Sequence, residues 1–564
     1  MTGPTALPPD RPRSAARPPR RRAPRKNWLI AGGIATALTA AGVSGALTLT
    51  PPDHATPSTS TPQGASTTSP AAAARPATPI TPSTVYQQIG PPARSPLKAV
   101  EPLNITVHPA DTGTELRKGL VGLSLELTDL ALPSLSRDNA SMVKLLTELH
   151  GPMLRFGGNS VERRAFWTST GETRPSWVKG TATQPAATIT PADLLRLRRL
   201  LDATDSTAAI VVDLAHLEPE RAADFVKHAK DILGSRFLGY TPGNEPNGYE
   251  ANKMRPQGWG EQGYLEDARK YADAVAEAAP GVPLIGPGTY AMTWGRSFAA
   301  AEFPEQKIYA FHHYPFSSCT GSEAGSKPTI ENLVRRSARD GSIAFRERMM
   351  APARANKLPV WIPEAGTSAC PGYQNSTTKT HASALWTVDY SLSSAQLGVE
   401  RLGFHSSLAA CKGGPSMSAV CNTGTMADPS PDFSARANFW GESFVAQLPT
   451  GRFLTAETQG DRMSYVYAIR NSDDELTVVV INTNDPSTSA QTTVTIQLPF
   501  AATRGTMAQL TGPSYAAEDA TLIDGKKASV APEAMRPGIP GFRGGDELRL
   551  PLTAGTATVL TFRK

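Results

Sequence analysis

Two glutamates, Glu245 and Glu364, each follow an apolar run that has the character of a buried strand. Glu245 lies in the segment GYTPGNEPN (residues 239–247), and Glu364 lies in VWIPEAG (residues 360–366). A glutamate is rarely buried without a partner, so each position needs a physical reason. For Glu245 alone, a cap of the next helix or an ion pair with a buried arginine explains it as well as catalysis does. Two facing carboxylates would instead be suited to glycosidic bond hydrolysis.

The elements that must position these glutamates alternate regularly from about residue 119. Apolar runs are followed each time by an amphipathic stretch with a period near 3.6 residues, and eight such pairs are typical of a parallel (β/α)₈ barrel. We therefore predict a catalytic barrel over residues 119–449. Its predicted strands are Val121–Leu127, Pro152–Phe156, Ala208–Leu214, Phe237–Thr241, Pro283–Gly286, Ile308–His313, Pro359–Pro363 and Arg401–His405.

The pattern changes after about residue 450. Runs such as Ser464–Ile469, Leu476–Asn482 and Thr492–Leu498 alternate apolar and polar residues with a period of two between turn residues. This pattern indicates an antiparallel β-sandwich. The stretch Leu103–Val107 precedes the barrel and also has strand character. We expect the sandwich domain to combine residues 101–118 with residues 450–564.

A barrel of this kind carries its active site at the C-terminal ends of its strands. There, Glu364 would attack the anomeric carbon of a sugar and Glu245 would protonate the leaving oxygen. Asn244 could bond the sugar 2-hydroxyl, and Tyr314 could hold the nucleophile. Further polar residues at strand ends are Glu126, Arg155, Asn159, His312, His313 and His405.

Two of these strand-end residues also have structural interpretations. His312 fits a hydrogen-bonded core position as well as a direct role. Arg155 could be the structural partner of a carboxylate inside the barrel.

An ordered set of motifs resembles one family of sugar hydrolases. The chain is similar to glycoside hydrolase family 79, the heparanase and β-glucuronidase family, within the clan of (β/α)₈ retaining glycosidases. The similarity spans roughly residues 100–564. The matching segments are MLRFGGNSVE (153–162), GYTPGNEPN (239–247), FHHYPF (311–316), WIPEAGTSACPG (361–372) and ANFWGESFVAQLPTGRFL (437–454).

The resemblance implies roles for individual residues. Glu245 would be the acid/base, Glu364 the nucleophile, Asn244 the partner of the 2-hydroxyl and Tyr314 the neighbour of the nucleophile. It also implies that Glu126, on the first barrel strand, binds sugar hydroxyls.

The loop after the seventh strand is where the chain departs from the resemblance. In the family, backbone and tyrosine groups of this loop bind the uronate carboxylate. Adjacent glycines are common there, whereas this chain has Cys370-Pro371-Gly372-Tyr373. We expect Gly372 and Tyr373, together with His313 on the sixth strand, to contact substrate. A neutral sugar stays open as an alternative to glucuronate.

The N-terminal region has the composition of an export or anchoring segment. Residues 1–27 form a basic tail, and residues 28–49 are uncharged and long enough to cross a bilayer. They predict either a cleaved signal peptide or an uncleaved anchor, with the body outside the cytoplasm in both cases. Residues 50–98 are rich in Pro, Ser, Thr and Ala, which predicts a disordered spacer.

The four cysteines of the chain can form disulfides. In an exported chain we favour the disulfides Cys319–Cys370 and Cys411–Cys421 among three possible pairings, and the cysteine spacings do not fit a zinc site.

The positive charge of the chain is concentrated at its N-terminus. Eight of the 56 Lys and Arg residues, but only one of the 50 Asp and Glu residues, lie in residues 1–26. The rest of the chain is therefore nearly neutral, and no nucleic-acid partner is expected.

Together these features predict an exported retaining β-glycosidase with a (β/α)₈ barrel and a β-sandwich. We expect it to hydrolyse β-linked glucuronic acid from glycans without a metal or an organic cofactor. A retaining glycosidase of a neutral sugar and a non-catalytic carbohydrate-binding protein of the same fold are the alternatives. In each case the partner is a carbohydrate, with membrane contact through residues 28–49 if they are not cleaved.

Overall fold

The computed structural model of this 564-residue chain describes residues 97–318, 326–370, 377–524 and 537–564. Its strands are β1 (Leu103–Leu116), β2 (Val121–Glu126), β3 (Met153–Gly157), β4 (Ala165–Trp167), β5 (Ala187–Ile189), β6 (Thr207–Val212), β7 (Phe237–Pro242), β8 (Leu284–Thr289), β9 (Gln306–His313), β10 (Val360–Ala365), β11 (Val399–His405), β12 (Ala410–Lys412), β13 (Val420–Thr425), β14 (Phe433–Ala435), β15 (Gly451–Gly460), β16 (Ser464–Ser472), β17 (Glu475–Asn482), β18 (Thr492–Ala502), β19 (Arg504–Thr511), β20 (Leu522–Ile523), β21 (Gly545–Leu552) and β22 (Thr556–Arg563). Its helices are α1 (Ala140–Glu148), α2 (Pro191–Thr204), α3 (Pro219–Leu233), α4 (Gly260–Ala278), α5 (Met292–Ala299), α6 (Ile330–Leu333), α7 (Arg336–Ala355), α8 (His381–Leu397) and α9 (Ala437–Ala446).

The predicted (β/α)₈ barrel is confirmed. Strands β2, β3, β6, β7, β8, β9, β10 and β11 form a closed parallel barrel in chain order, and β11 pairs back onto β2. At least one helix follows every barrel strand. Local sequence signals set some helix boundaries. At α2, for example, Thr190 and Asp193 form a capping box and Pro191 occupies the first turn.

The strand register already brings polar residues of neighbouring strands together. Arg155 on β3 lies opposite Ser124 on β2, and Glu364 on β10 lies opposite His312 on β9. Because neighbouring strands of a sheet lie about 5 Å apart, side chains at these paired positions that point to the same face are close neighbours.

The second domain is a nine-stranded sheet that encloses its own core. The strand order is β20-β19-β22-β17-β16-β15-β1-β18-β21, so strand β1 pairs with β15 and β18. All pairings are antiparallel except β1 with β18, which is parallel. Apolar side chains from distant strands, such as Val494 on β18 and Val478 on β17, share one buried cluster. The sheet therefore folds over on itself as a sandwich, as the alternating pattern predicts.

Helix α8 joins the barrel to this sheet. Fifteen of its seventeen residues are buried, because it packs against the barrel strand β11 on one side and against β1, β17 and β22 on another. At its start, the two ring nitrogens of His381 lie 3.0 Å from Thr521 Oγ1 and 2.7 Å from the carbonyl oxygen of Gly555. A helix buried on all sides cannot show a one-sided apolar pattern.

Several predictions concern residues outside the described part of the chain. The tail, the apolar segment 28–49 and nearly all of the spacer lie there, as do Cys319, Gly372 and Tyr373. The disulfide Cys411–Cys421 is present, with its Cα atoms 5.0 Å apart, while the bond between Cys319 and Cys370 stays a prediction. Within the described ranges, no helix has both the length and the apolar character that crossing a membrane requires.

Candidate active site

Side chains from five barrel strands and from adjoining loops meet at the C-terminal mouth of the barrel. The two glutamates lie at its centre: one oxygen of Glu245, one oxygen of Glu364 and a ring nitrogen of His312 are all within 4.8 Å of one another. Their surroundings differ strongly, because the side chain of Glu364 is 5% exposed and that of Glu245 is 24% exposed. One carboxylate is thus enclosed by protein, and the other faces the open mouth.

Glu364 is surrounded by hydrogen-bond donors. Arg155 Nη1 donates to its Oε2, and the Tyr314 hydroxyl donates to its Oε1 at 2.9 Å. His405 Nδ1 lies 3.4 Å from the same Oε1. Burial alone would raise the pKa of Glu364, but the electrostatic interactions with His312, His405 and Arg155 and the Tyr314 hydrogen bond outweigh it and lower the pKa. Glu364 is therefore held as a carboxylate.

Arg155 connects several members of the site. Besides Glu364, its guanidinium donates to Ser124 Oγ at 3.0 Å and to Asn244 Oδ1 at 2.7 Å. It is almost completely buried, and a buried guanidinium needs a carboxylate partner and satisfied donors, both of which it has here. Arg155 is therefore both the structural partner of a carboxylate, as the sequence suggested, and a member of the site.

Glu245 lies on a turn in an unusual conformation. Its backbone is left-handed, with φ at +50°, and its N–H donates to the carbonyl oxygen of Gly288 at 3.2 Å. A left-handed glutamate is a strained arrangement that the surrounding contacts must maintain. The turn directs the carboxylate toward His312, whose Nδ1 lies 2.9 Å from Glu245 Oε1.

The partners of His312 decide which nitrogen carries its proton. Nε2 lies 3.4 Å from Arg155 Nη2, and arginine has donors only. Nε2 must therefore accept, so Nδ1 carries the proton and donates to Glu245 Oε1.

A third glutamate, Glu162, supports the turn from behind. Its Oε1 accepts from the backbone N–H of Asn244 at 2.8 Å and from the Tyr249 hydroxyl. Burial, and next the charge of Asp213, raise the pKa of Glu162 to about 8. Sequence analysis missed this residue, although its place within the MLRFGGNSVE segment was available as a signal.

Because the pKa of Glu162 is raised, the free energy of unfolding should decrease as pH rises. A carboxyl group that keeps its proton in the folded state up to about pH 8 stabilises the fold fully at low pH, and the contribution is lost as pH rises through that value. We expect Glu162→Gln, which mimics the protonated form, to reduce the decline in unfolding free energy between pH 5 and 8 by about 1 kcal/mol per pH unit. Urea unfolding of both proteins at several pH values measures this difference. Parallel curves would contradict it.

Glu126 lies on the other side of the nucleophile. Its Oε2 accepts from the N–H of Ser160 at 2.8 Å and lies 3.4 Å from Arg164 Nη2, and its Oε1 lies 3.5 Å from His405 Nε2. Burial would raise the pKa of Glu126, but the contacts with His405, Arg164 and Ser160 lower it. An ionised acceptor at this position is suited to binding hydroxyl groups.

His405 is the bridge between the two carboxylates on this side. Burial works against its charge, but Glu364 and Glu126 more than compensate and raise the pKa of His405. Its Nδ1 is 2.7 Å from the Tyr314 hydroxyl, which itself donates to Glu364. His405 and Tyr314 therefore form a chain that ends on the enclosed carboxylate.

His313 must be removed from the predicted site. Its Nδ1 lies 3.0 Å from the Tyr390 hydroxyl, and its ring stacks on Phe345 with centroids 4.5 Å apart. Burial lowers its pKa well below the ordinary value. Successive residues of a strand point to opposite faces, so His313 faces the outer helices α7 and α8, and its neighbour His312 faces the barrel mouth.

The central triad also has the donor atoms of a metal site. Glu245, His312 and Glu364 offer two carboxylate oxygens and an imidazole nitrogen at suitable mutual distances. However, Arg155 already donates to Glu364, so a divalent ion bound to Glu364 would lie next to a permanent positive charge that repels it. The residues present fit an acid/base pair better than a resident divalent ion.

Comparison with known proteins supports the fold. No protein-family model and no curated protein sequence matches the chain. Among solved structures it is similar to a 4-O-α-L-rhamnosyl-β-D-glucuronidase from Fusarium oxysporum 12S, with a TM-score of 0.61 and 17% identity over 81% of this chain and 100% of that one. It is also similar to a glycoside hydrolase family 51 arabinofuranosidase from Xanthomonas axonopodis pv. citri, with a TM-score of 0.58 and 13% identity over 82% of this chain and 100% of that one.

A third similar structure is a xyloglucanase of glycoside hydrolase family 44 from Paenibacillus polymyxa, with a TM-score of 0.52 and 12% identity over 83% of this chain and 100% of that one. All three neighbours are glycoside hydrolases with a (β/α)₈ barrel. At these identities the likeness concerns the fold. The chain thus has the (β/α)₈ architecture found in several families of glycoside hydrolases.

Proposed function

We propose that this protein is a retaining β-glycosidase, in which Glu364 is the nucleophile and Glu245 is the acid/base. The observation that carries the proposal is the pair of carboxylates within 4.8 Å at the barrel mouth, one enclosed by cations and one facing the opening. Retaining enzymes place their two carboxyl groups about 5–5.5 Å apart, whereas inverting enzymes leave about 6.5–9.5 Å for a water molecule. An approach of one oxygen of each carboxylate to within 4.8 Å supports the shorter, retaining arrangement.

The proposed reaction has two steps. Glu364 forms a bond to the anomeric carbon as the bond to the leaving oxygen breaks, and Glu245 transfers its proton to that oxygen. Water then attacks the same carbon, Glu245 takes the proton of the water, and the bond to Glu364 breaks. Arg155 and Tyr314 hold the nucleophile in place for both steps, and the carboxamide of Asn244, fixed by Arg155, is available to the 2-hydroxyl.

For the sugar, we propose a β-linked glucuronic acid, consistent with membership of glycoside hydrolase family 79. Support comes from the structural likeness to a glucuronidase and from the motif order described above. A guanidinium at the rim, that of Arg164 beside Glu126, adds positive charge where an acidic sugar would bind. A neutral sugar is the second candidate, since the arabinofuranosidase and xyloglucanase neighbours share the fold.

A panel of chromogenic β-glycosides tests the proposal and separates the two sugars. Glucuronide, glucoside, galactoside, xyloside and α-arabinofuranoside should be compared at equal concentration. We expect the glucuronide to be cleaved, with the first-formed product seen by NMR as the β-anomer. Cleavage of neutral sugars alone would reject glucuronate, an α-anomer from a β-glycoside would reject retention, and no cleavage of any glycoside would favour a carbohydrate-binding protein.

The Tyr314 hydroxyl provides a further prediction. Replacing Tyr314 with phenylalanine removes a hydrogen bond to a charged group, worth about 1.5–3 kcal/mol, so we expect kcat/KM to fall about 10- to 100-fold. The loss also raises the pKa of Glu364, so the acid limb of the pH profile moves to higher pH. Tyr309→Phe is the matched control, because that hydroxyl donates to the Met349 carbonyl away from the mouth. Equal effects of both changes would contradict the assignment.

We also propose that the body acts outside the cytoplasm, tethered or released by residues 28–49. The apolar segment behind a basic tail and the Cys411–Cys421 disulfide support this location. Expression of the full chain followed by protease treatment of intact cells tests it. Protection of the body from protease in intact cells, with cleavage after lysis, would reject it.

A further inference from the structure

The leaving group of the proposed reaction must lie beside the proton donor. Oε1 of Glu245 receives the His312 hydrogen bond, so the other oxygen is the one that would give its proton to the leaving group. Residues that border Glu245 there would contact the leaving group and not the sugar bound to Glu364. The end of strand β8 supplies them, because the N–H of Glu245 donates to the carbonyl oxygen of Gly288 at 3.2 Å.

Tyr290 follows β8 directly and lies against the turn that carries Glu245. A Cβ built on Gly248, three residues after Glu245, would be 3.7 Å from the Tyr290 hydroxyl. Burial, and then the charge of Glu245, raise the pKa of this phenol, in keeping with a position near that carboxylate.

Tyr290 is nevertheless open to solvent. It is 37% exposed, and Met292, two residues further, is 38% exposed. The described ranges contain five exposed large hydrophobic residues, and the others are Leu97, Leu195 and Leu217. Of these five, Tyr290 lies against the turn that carries Glu245, and Met292 follows it two residues further along the chain. Exposed aromatic surface at the rim of a polar site has a function more often than an isolated surface leucine does.

We propose that Tyr290, with Met292, forms the leaving-group subsite and selects leaving groups that present a flat apolar face. The inference rests on the proposed glycosidase function. Two kinds of leaving group have such a face, an aromatic alcohol and the C–H face of a second sugar ring. Both would pack on the tyrosine ring while their oxygen receives the proton of Glu245.

The test compares three substrates with the same sugar, which is the one identified by the glycoside panel. They are the methyl glycoside, the phenyl glycoside and a disaccharide. We expect Tyr290→Ala to lower the ratio of kcat/KM for phenyl over methyl glycoside about 10-fold, a size typical of a lost ring contact. Tyr290→Phe keeps the ring and should keep the ratio. If kcat/KM for the disaccharide falls as much as that for the phenyl glycoside, the leaving group that packs on Tyr290 is a sugar ring. If only kcat/KM for the phenyl glycoside falls, it is an aromatic alcohol.

The controls separate this inference from the proposed function. Leu195→Ala removes another exposed large apolar side chain, from helix α2, and should change neither kcat/KM nor the ratio. If Tyr290→Ala does not fold, Tyr290→Leu keeps apolar bulk without a flat ring and should lower the ratio in the same direction. An active protein whose ratio stays constant in these variants overturns the subsite alone. An unaltered protein that cleaves none of the three substrates overturns the proposed function, and the subsite with it.

Discussion

Replacing Glu364 with alanine is expected to abolish hydrolysis of every glycoside substrate, with a loss of kcat on the order of 10⁴-fold or more. The side chain is 5% exposed and its pKa is lowered by His312, His405 and Arg155, as a nucleophile at neutral pH requires. Steady-state kinetics, with the sugar identified in the panel, measures the effect.

A covalent label provides a second measurement of the Glu364 prediction. A 2-fluoro glycoside of the preferred sugar should accumulate on Glu364 and appear as a mass increase on its peptide, and this mass increase should be absent from the alanine variant. Glu442→Gln is the matched control. Glu442 is also fully buried, and burial raises its pKa well above the ordinary value, so glutamine mimics its protonated form. A Glu364 variant with substantial activity on all glycosides would refute the assignment.

Replacing Glu245 with alanine is expected to give a loss that depends on the leaving group. For leaving groups that need protonation, kcat/KM should fall about 10²- to 10⁴-fold, the usual contribution of a general acid. For a dinitrophenolate, which leaves without a proton, formation of the covalent intermediate should be nearly unaffected. Azide should then restore turnover, because it attacks the intermediate without needing a base, and the product should be the β-glycosyl azide.

An exposed acid on the same loop serves as the control for Glu245. Glu250 lies five residues further and is open to solvent, so Glu250→Ala should leave the kinetics unchanged. If kcat/KM falls by the same factor for every leaving group and azide does not restore turnover, Glu245 stabilises the fold and does not transfer the proton. The two glutamates would then need new roles.

The architecture could be predicted because its signals are local. Runs such as Ala208–Leu214 and Ile308–His313 are predominantly apolar, as is typical of strands buried on both faces, and the intervening stretches repeat with helical period. Both runs are barrel strands in the structure, β6 and β9. A barrel fold then brings all strand ends to one mouth, so Glu245 and Glu364 could be placed together although 119 positions separate them.

The contacts within the site could not be predicted in the same way. His312 and His313 are adjacent and chemically identical, and only the pleat of β9 and the helices behind it decide which one faces the mouth. The sequence did not show which partners Arg155 has, and the structure shows that its guanidinium reaches both Glu364 and Asn244. The role of Glu162 depends on a backbone N–H that lies 82 positions away, so its place in the MLRFGGNSVE segment did not reveal it.

The sequence by itself therefore determined the barrel, the sandwich and the two central glutamates, since periodicity and residue type are properties of short segments. The tertiary structure alone decided which side chains surround each glutamate, and so which one is enclosed by cations and which one faces the opening. That difference arises from burial and from charges brought together by strands far apart in the chain. Local sequence does not encode such neighbours, and the division of work between Glu364 and Glu245 depends on them.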